Sequence, residues 1–560
     1  MAEQALTIVI VGGVAGGASA ATRARRMNEQ AHIILFEKDA DVSFANCGLP
    51  YYIGGEIEQR GKLTVATAEL LRNRFRLDVR TRQEVTAIDR AAKSIEVRNH
   101  ETGEVYRQNY DKLILSPGAS PLVPPIAGRD APNVFTLRNL ADTDRIKAAT
   151  DAEPSGRVVM IGAGFIGLEM VEQLAHRGFR TSLVELQPQV LPLLDAEMAI
   201  PVQRALEQHG VELHLADGIE SIQVDVATGR ATGVQLASGK LLPADMVILG
   251  IGVRPNTQLA EAAGLTIGPS RGIAANRHQQ TNDPDVYAVG DAAEYVYGPT
   301  GAPLRIALAG PANRAGRLAG EHAATGSGPE MADVFGTSIV RVFDVAAGMT
   351  GLTAALAKRL GIDARSVTIL ANHHAGYFPG AKQLTLKLVY DPANGRVLGA
   401  QAVGEEGVDK RLDVIATAMA FRATVRDLAG LDLAYAPPFG AAKDPVHMAA
   451  FAACNQMAGV VDFIEADSDL TNLQVVDVRT PAEVERLPLA GAAHAINIPV
   501  DQLRDRLSEL DSSRETVVSC ASGVRSHVGQ RILRQAGFHD VKSLAGGATL
   551  RERAMAGSKK

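Results

Sequence analysis

The chain has 560 residues, enough for three or four domains at roughly 150 residues each. With 46% hydrophobic and 21% charged residues it has globular composition, and a net charge of -6 excludes the basic surface that nucleic acid requires. No apolar run reaches the roughly 20 residues of a membrane span, and the opening Met-Ala-Glu-Gln-Ala lacks the basic segment of a secretory signal. Three cysteines, Cys47, Cys454 and Cys520, lie far apart in sequence, so neither a disulfide scaffold nor a zinc site is expected. The expectation is a cytoplasmic protein that holds no metal and engages neither membrane nor nucleic acid.

In chain order, the β-branched run Leu6 to Val11 predicts a buried parallel strand. The turn Gly12-Gly13-Val14-Ala15-Gly16-Gly17, a helix over Ala18 to Glu29 and a strand over Ile33 to Phe36 follow, closed by Glu37 and Lys38. This is a dinucleotide-binding fingerprint: glycines admit a pyrophosphate to a helix N-terminus, and the acid meets a ribose hydroxyl. Val14 departs from it where a second glycine belongs. Cys47 lies in Ser43-Phe-Ala-Asn46-Cys-Gly-Leu-Pro-Tyr-Tyr52, at the expected start of a helix, where a thiol's pKa is lowered. No second cysteine stands near it. Cys47 must therefore cycle through a sulfenic acid, a persulfide or a mixed disulfide.

A strand from Leu113 runs into the turn Pro117-Gly118. The fingerprint then recurs in full: Arg157 to Ile161, Gly162-Ala-Gly164-Phe165-Ile166-Gly167, a helix through Arg177, and Thr181 to Val184 ending on Glu185. Two fingerprints imply two dinucleotides, a flavin and a nicotinamide. Leu186-Gln-Pro-Gln189 carries no cation for a 2′-phosphate, which favours NADH over NADPH. Val247 to Pro255, with Gly252, repeats the earlier strand-to-turn shape. Gly290-Asp291 ends a further strand before a helix-prone stretch, so Asp291 either meets a flavin ribityl hydroxyl or caps a helix.

From residue 331 an α+β interface domain is predicted, with strands over Gln383 to Val389 and Val397 to Ala402 and helices over Gly407 to Ala423 and Pro445 to Ala458. Cys454 lies on the second helix as a packing residue. A linker is expected over 458–469, within a junction from Ala458 to Leu470 in which Val460-Val-Asp-Phe can still pack while Glu465-Ala-Asp-Ser-Asp is polar; if flexible, its roughly 13 residues span about 20 Å. Beyond it, a small α/β unit ends near Leu550 and a frayed tail covers Ala556 to Lys560. In that unit Ser519-Cys520-Ala-Ser-Gly-Val-Arg525-Ser526 joins a strand to a helix, so backbone N–H groups and Arg525 can surround the Cys520 sulfur.

The double fingerprint, the segment around Cys47 and Tyr435-Ala-Pro-Pro-Phe-Gly-Ala-Ala-Lys-Asp-Pro445 resemble the coenzyme A-disulfide reductases of the single-cysteine pyridine nucleotide-disulfide oxidoreductase family, over about residues 5–457. The resemblance implies FAD at the first fingerprint and Asp291, with Asn46, Pro117, Gly118 and Gly252 beside it. It implies NAD(P)H at the second, a homodimer, Cys47 as redox centre, and Tyr377 and Tyr435 reaching the sulfur from the partner subunit. Coenzyme A contacts carried over are Ser19, Arg23, Arg26, Ser43, Asn46, Asn313, Tyr435 and Lys443. Helical spacing puts Arg23 and Arg26 on one face and Arg25 on another. The arginines 72, 74, 76, 80 and 82 form a second candidate phosphate site, and His373, His374 and His447 read as structural.

Residues 470 to 552 resemble a single-domain rhodanese, through the Cys520 loop, Asp477-Val-Arg479 and Leu544-Ala-Gly-Gly547. Ala490-Gly-Ala-Ala-His-Ala495 departs from that family's pattern. The whole is an α/β protein: an FAD domain (1–125 and 250–330), an NAD(P)H domain (126–249), both Rossmann-like, an α+β dimerisation domain (331–457) and a rhodanese domain (470–556). The fusion implies NADH-dependent reduction of persulfides, polysulfides, glutathione persulfide or coenzyme A disulfide at Cys47, with Cys520 carrying sulfane sulfur. The alternatives are an NADH peroxidase or oxidase working through a Cys47 sulfenic acid, and a redox or sulfur-sensing adaptor.

Overall fold

The computed structural model describes residues 5–557, in two compact units: 5–184 with 218–336, and 185–217 with 337–557. In the first unit, the fully buried run Ile8 to Ile10 sits at the centre of a parallel sheet. Its strand order is Val286–Ala288, Lys112–Leu115, Thr7–Val11, His32–Glu37 and Asp78–Thr81. Arg157–Ile161 lies between Arg180–Glu185 and Met246–Leu249 in a second parallel sheet, which continues to Val134–Thr136. Both are the doubly wound sheets that the two fingerprints predict.

The first fingerprint helix spans Ala15–Met27 and buries its small-residue face, from Gly16 through Ala24. Against it lies the helix Ala309–Thr325, which buries Ala312, Ala315, Gly316, Ala319, Gly320 and Ala323. A Cβ on Gly316 would sit 2.1 Å from the Gly16 carbonyl oxygen, and one on Gly320 2.2 Å from that of Ala20. Only glycine permits backbones to approach this closely.

The strand before Asp291 is Val286–Ala288, as expected, but no helix follows. A 3-10 turn over Gly290–Ala292 leads into the short strand Glu294–Val296. Gly290 takes φ +80°, and the Tyr295 hydroxyl closes the turn by accepting the Gly290 N–H (2.8 Å). Asp291 therefore caps no helix.

The second unit holds an antiparallel sheet in the order Ser338–Val342, Val345–Gly351, Val397–Gly404, Gln383–Tyr390, Arg365–Asn372. The helices Val408–Ala420 and Pro445–Met457 fall where the apolar periodicity puts them. Asp444 caps the latter, accepting from the Val446 N–H, while its carboxylate pairs with buried Arg411 at 2.7 Å.

A five-stranded parallel sheet follows, ordered Phe463–Ile464, Val541–Leu544, Thr516–Ser519, Gln474–Asp477, Ile496–Asn497. Its first strand lies within the stretch expected as a linker. Val461 and Ala466 are buried there, Gln530 donates to the Asp462 carbonyl (3.0 Å), and Arg551 donates to those of Ala466 and Ser468 (2.9 and 2.8 Å). Phe463–Ile464 thus joins the C-terminal sheet, and with Val461 and Ala466 buried beside it the stretch is no flexible tether. The expected tail is likewise shortened: Ala556 and Gly557 belong to the helix Gly547–Gly557, while 558–560 lie outside the described residues. That helix packs on Ala196–Gln208; Glu552 pairs with Arg204, and Arg553 donates to the Thr385 hydroxyl at 2.8 Å.

Candidate active sites

The first cradle is built from backbone. Gly12 has φ +93°, and a Cβ there would lie 2.1 Å from the Ser116 carbonyl oxygen; at Gly17 it would lie 1.8 Å from the Gly12 oxygen. These glycines let strand, turn and helix close on each other. Val14, the departure from the motif, has φ -89°, a region open to any residue. Glu37 closes the cradle, its two oxygens accepting the N–H groups of Gly13 (2.8 Å) and Asp39 (3.0 Å). Burial raises its pKa more than those donors lower it. Lys38 beside it is exposed.

Asp291 stands at the same unit's flavin-side turn. Burial raises its pKa, against the pull of Arg138 and Arg305. Around it, Gly118 has φ +66° and Gly252 φ +116°, Asn256 donates to the Pro117 carbonyl (2.9 Å), and Asn46 donates to that of Arg138 (3.4 Å). A half-buried carboxyl in the field of Arg138 and Arg305, and a glycine cradle closed by Glu37, fit the ribityl and ribose-pyrophosphate portions of a flavin dinucleotide.

The second cradle repeats the first. Gly162 has φ +102°, and a Cβ on Gly167 would lie 1.9 Å from the Gly162 oxygen. Gly164 differs: a Cβ there meets no protein atom within 4 Å, so this glycine keeps space open at the helix N-terminus for a ligand. Phe165 and Ile166 begin the helix Phe165–His176, Ile166 being exposed. Glu185 accepts the Gln187 N–H at 2.9 Å, and no cation occurs in 186–189.

Cys47 lies exposed in the single turn Asn46–Gly48, directly before the helix Leu49–Gly54. The lowered pKa expected for it is corrected: atoms packed round the thiol raise it, and the carboxylates of Glu169 and Asp291 raise it further. A helix of six residues offers too little dipole to reverse this. Glu169 also accepts from the Tyr51 hydroxyl at 3.3 Å. Neither residue was picked out from the sequence. Their signals were present: Tyr51 sits in the cysteine segment, and Glu169 follows the last fingerprint glycine by two.

Of the residues expected to meet coenzyme A, Ser19, Arg23, Arg26 and Asn313 share one helix pair. Ser19 donates to Asn313 Oδ1 (2.6 Å), Arg23 is paired with Glu321 (2.5 Å), and exposed Arg26 covers the Phe75 ring at 5.1 Å. Arg25 is buried and holds the carbonyls of Phe75, Asn28, Glu29 and Arg76. Ser43 is buried at φ 49°, its N–H on the Gly13 carbonyl. In the second candidate cluster, Arg80 is committed to Asp78 and Arg82 to Glu101, while Arg74 and Arg76 lie exposed.

Tyr435 and Lys443 belong to the second unit, where Tyr435 and Tyr377 meet hydroxyl to hydroxyl at 3.0 Å. Their segments are tied by the Ala375 N–H on the Gly440 carbonyl, and Tyr377, Tyr435, Phe439 and Lys443 are all exposed. The hydrogen bond between the two hydroxyls raises the Tyr377 pKa. His373, His374 and His447 each direct a ring nitrogen at a backbone carbonyl. Glu56, Glu172 and His176 offer ligand atoms within 4.8 Å of one another.

Cys520 is buried at the end of Thr516–Ser519, and its sulfur accepts the Gly523 N–H at 3.1 Å. Gly523, at φ +102°, turns the chain into the helix Val524–Gln535, whose Ser526 hydroxyl lies 3.7 Å from the sulfur. A Cβ on Gly547 would fall 2.3 Å from the Cys520 carbonyl oxygen. Arg525, expected with the backbone N–H groups around the sulfur, lies in the electrostatic field of Cys520. It also donates from both terminal nitrogens to Glu483 (2.8 and 2.6 Å), a partner the sequence reading missed. The departing segment Ala490 to Ala495 is anchored by Arg551, which donates to the Ala490 carbonyl at 2.6 Å.

The pyridine nucleotide-disulphide oxidoreductase family matches residues 6–316, and its dimerisation domain residues 337–445. The chain belongs to this family. A rhodanese-like domain matches residues 461–550, beginning at the buried Val461. The coenzyme A disulfide reductase of Staphylococcus aureus is 37% identical over 446 residues, 80% of this chain and 99% of that one. Among solved structures, reduced Bacillus anthracis CoADR-RHD has a TM-score of 0.94 at 44% identity, covering 99% of both chains. A NAD-dependent persulfide reductase from A. fulgidus has a TM-score of 0.90 at 36% identity, covering 97% of this chain and 100% of that one. The protein is thus a flavin- and NAD(P)H-dependent oxidoreductase of this family with a C-terminal rhodanese domain, and FAD and a nicotinamide dinucleotide are its cofactors. Among the described residues no helix is long and apolar enough to cross a membrane.

Proposed function

We propose that this oxidoreductase uses NADH to reduce persulfides at Cys47, with coenzyme A persulfide and coenzyme A disulfide as its organic substrates and Cys520 as carrier of sulfane sulfur. The observation that carries this reading is the pairing, in one chain, of two sulfur centres: Cys47 between Glu169 and Asp291, and Cys520 cupped by Gly523 and Ser526. FAD, when bound, supplies two electrons from NADH to sulfur at Cys47.

The Cys47 thiolate attacks the inner sulfur of R–S–SH. The S–S bond breaks, hydrosulfide leaves, and Cys47 holds R as a mixed disulfide. Two electrons then return the Cys47 thiolate and release RS⁻, so NADH and RSSH become NAD⁺, H⁺, RS⁻ and HS⁻. Tyr377 and Tyr435, hydroxyls 3.0 Å apart, donate hydrogen bonds to the sulfur that leaves, in a homodimer from the partner subunit. Ser19, Arg23, Arg26, Ser43, Asn46, Asn313 and Lys443 supply polar and cationic contacts to the coenzyme A diphosphate and 3′-phosphate. Arg23 must exchange Glu321 for phosphate to do so.

The test is NADH oxidation with coenzyme A disulfide, coenzyme A persulfide, glutathione persulfide and inorganic polysulfide, using wild type, Cys47→Ser and Cys520→Ser. Cys47→Ser is expected to lose at least 100-fold with every acceptor, and Cys520→Ser to lose only where sulfur is first loaded on the rhodanese domain. Rapid oxidation by peroxide with no gain from any persulfide would replace this reading with a peroxidase.

A further inference from the structure

The loop around Cys520, Cys-Ala-Ser-Gly-Val-Arg-Ser526, contains one charged residue, Arg525. That charge is spent. Glu483 takes both terminal nitrogens of the guanidinium, and Arg525 draws its carboxyl down to about 2, so the pair is ionised and closed throughout the neutral range. Glu483 is itself fixed by a capping box: the Thr480 N–H and hydroxyl both donate to Oε2 at 3.0 Å. Asp477, the other acid in the field of Arg525, is buried against Arg479 at 2.5 Å. The outward residues of the first turns of the helix are apolar, Val524 at 57% and Val528 at 42% exposure. The exposed surface at the start of this helix, which we take as the mouth of the site, is therefore apolar, with the loop's one charge paired.

Sulfur donors differ in what they ask of such a mouth. Thiosulfate arrives as a dianion and leaves as sulfite, still doubly charged, and needs an uncompensated cation where that charge departs. An alkyl persulfide releases a singly charged thiolate, and an uncharged stem can lie on the two valines. We propose that Glu483 determines the donor specificity of Cys520 by cancelling Arg525, so that the site takes sulfane sulfur from persulfides on uncharged stems and discriminates against thiosulfate. In the step, the Cys520 thiolate attacks the outer sulfur of R–S–S⁻, the S–S bond breaks and RS⁻ leaves. The resulting Cys520 persulfide passes that sulfur to an acceptor nucleophile and is restored as thiolate. The inference rests on the reading of Cys520 as a sulfane-sulfur carrier.

The test uses the full-length, FAD-loaded protein, with cyanide as acceptor and thiosulfate or N-acetylcysteamine persulfide as donor. Wild type is expected to favour the persulfide in kcat/KM. Glu483→Gln is expected to raise the thiosulfate-to-persulfide ratio about tenfold, and added salt to erase that gain, since it comes from a freed surface charge. Val524→Lys, which leaves the capping box alone, is expected to move the ratio in the same direction. A ratio unchanged in both variants, or a wild type that already prefers thiosulfate, overturns the proposal while leaving the carrier reading intact. If neither donor adds one sulfur to the mass of the wild-type protein and Cys520→Ser changes nothing, the carrier reading fails and the specificity proposal with it.

Discussion

At the scale of single residues, both sulfur sites are shaped by carboxylates that come from outside the local motif. Burial, and after it the carboxylates of Glu169 and Asp291, raise the Cys47 pKa above the ordinary thiol value. Glu169→Gln removes one of the two charges, and the midpoint of Cys47 alkylation by iodoacetamide is expected to fall toward lower pH. At Glu483 the pKa is depressed, so its pairing with Arg525 stabilises fully above the unfolded value, about 4.3, and is lost as pH falls toward about 2. Acid unfolding of the rhodanese domain in Glu483→Gln is therefore expected to begin at higher pH. These couplings were invisible in the sequence for one reason. Glu169 and Asp291 reach Cys47 from distant segments, and Glu483 reaches Arg525 from another helix, whereas the glycine turns and Cys520 loop declare themselves within a few consecutive residues.

At the scale of elements, the glycine fingerprints separate into two physical kinds. Gly17 and Gly167 are demanded by the protein, because a Cβ would strike the carbonyl oxygen of Gly12 or Gly162. Gly164 is demanded only by what binds there. Gly164→Ala is thus expected to leave thermal stability within about 0.5 kcal/mol while raising KM for NADH severalfold. Gly167→Ala is expected to cost about 1–3 kcal/mol, read as a lower Tm. Strand and helix positions were legible wherever β-branched runs or apolar periodicity are long. The exceptions are instructive: Phe463–Ile464 is a two-residue strand, too short for any period, and the turn at Asp291 is held by Tyr295 rather than by a helix.

For the molecule as a whole, the sequence announced a flavin domain, a nicotinamide domain, a dimerisation domain and a rhodanese domain, but it left open how the last is attached. Phe463–Ile464 is a strand of the rhodanese sheet, and the helix Gly547–Gly557 packs on Ala196–Gln208 within the same compact unit. Short limited digestion with proteinase K is therefore expected to leave the stretch 458–469 intact, with no fragment corresponding to a released rhodanese domain. Arg553→Ala, which removes the donor to Thr385, is expected to increase cleavage there, measured by the appearance of that fragment.

The close pairing of Ala15–Met27 with Ala309–Thr325 also bears on how the protein is made. The helix that starts the flavin cradle leaves the ribosome first, yet the backbone it must lie against, Gly16 on Gly316 and Ala20 on Gly320, is about three hundred residues behind it. At roughly 5–20 residues per second, the first cradle waits between a quarter of a minute and a minute for its last wall. During that time the face of the first helix that Ala309–Thr325 covers lacks that partner, so a growing chain holds this small-residue surface open until most of the flavin domain has been made.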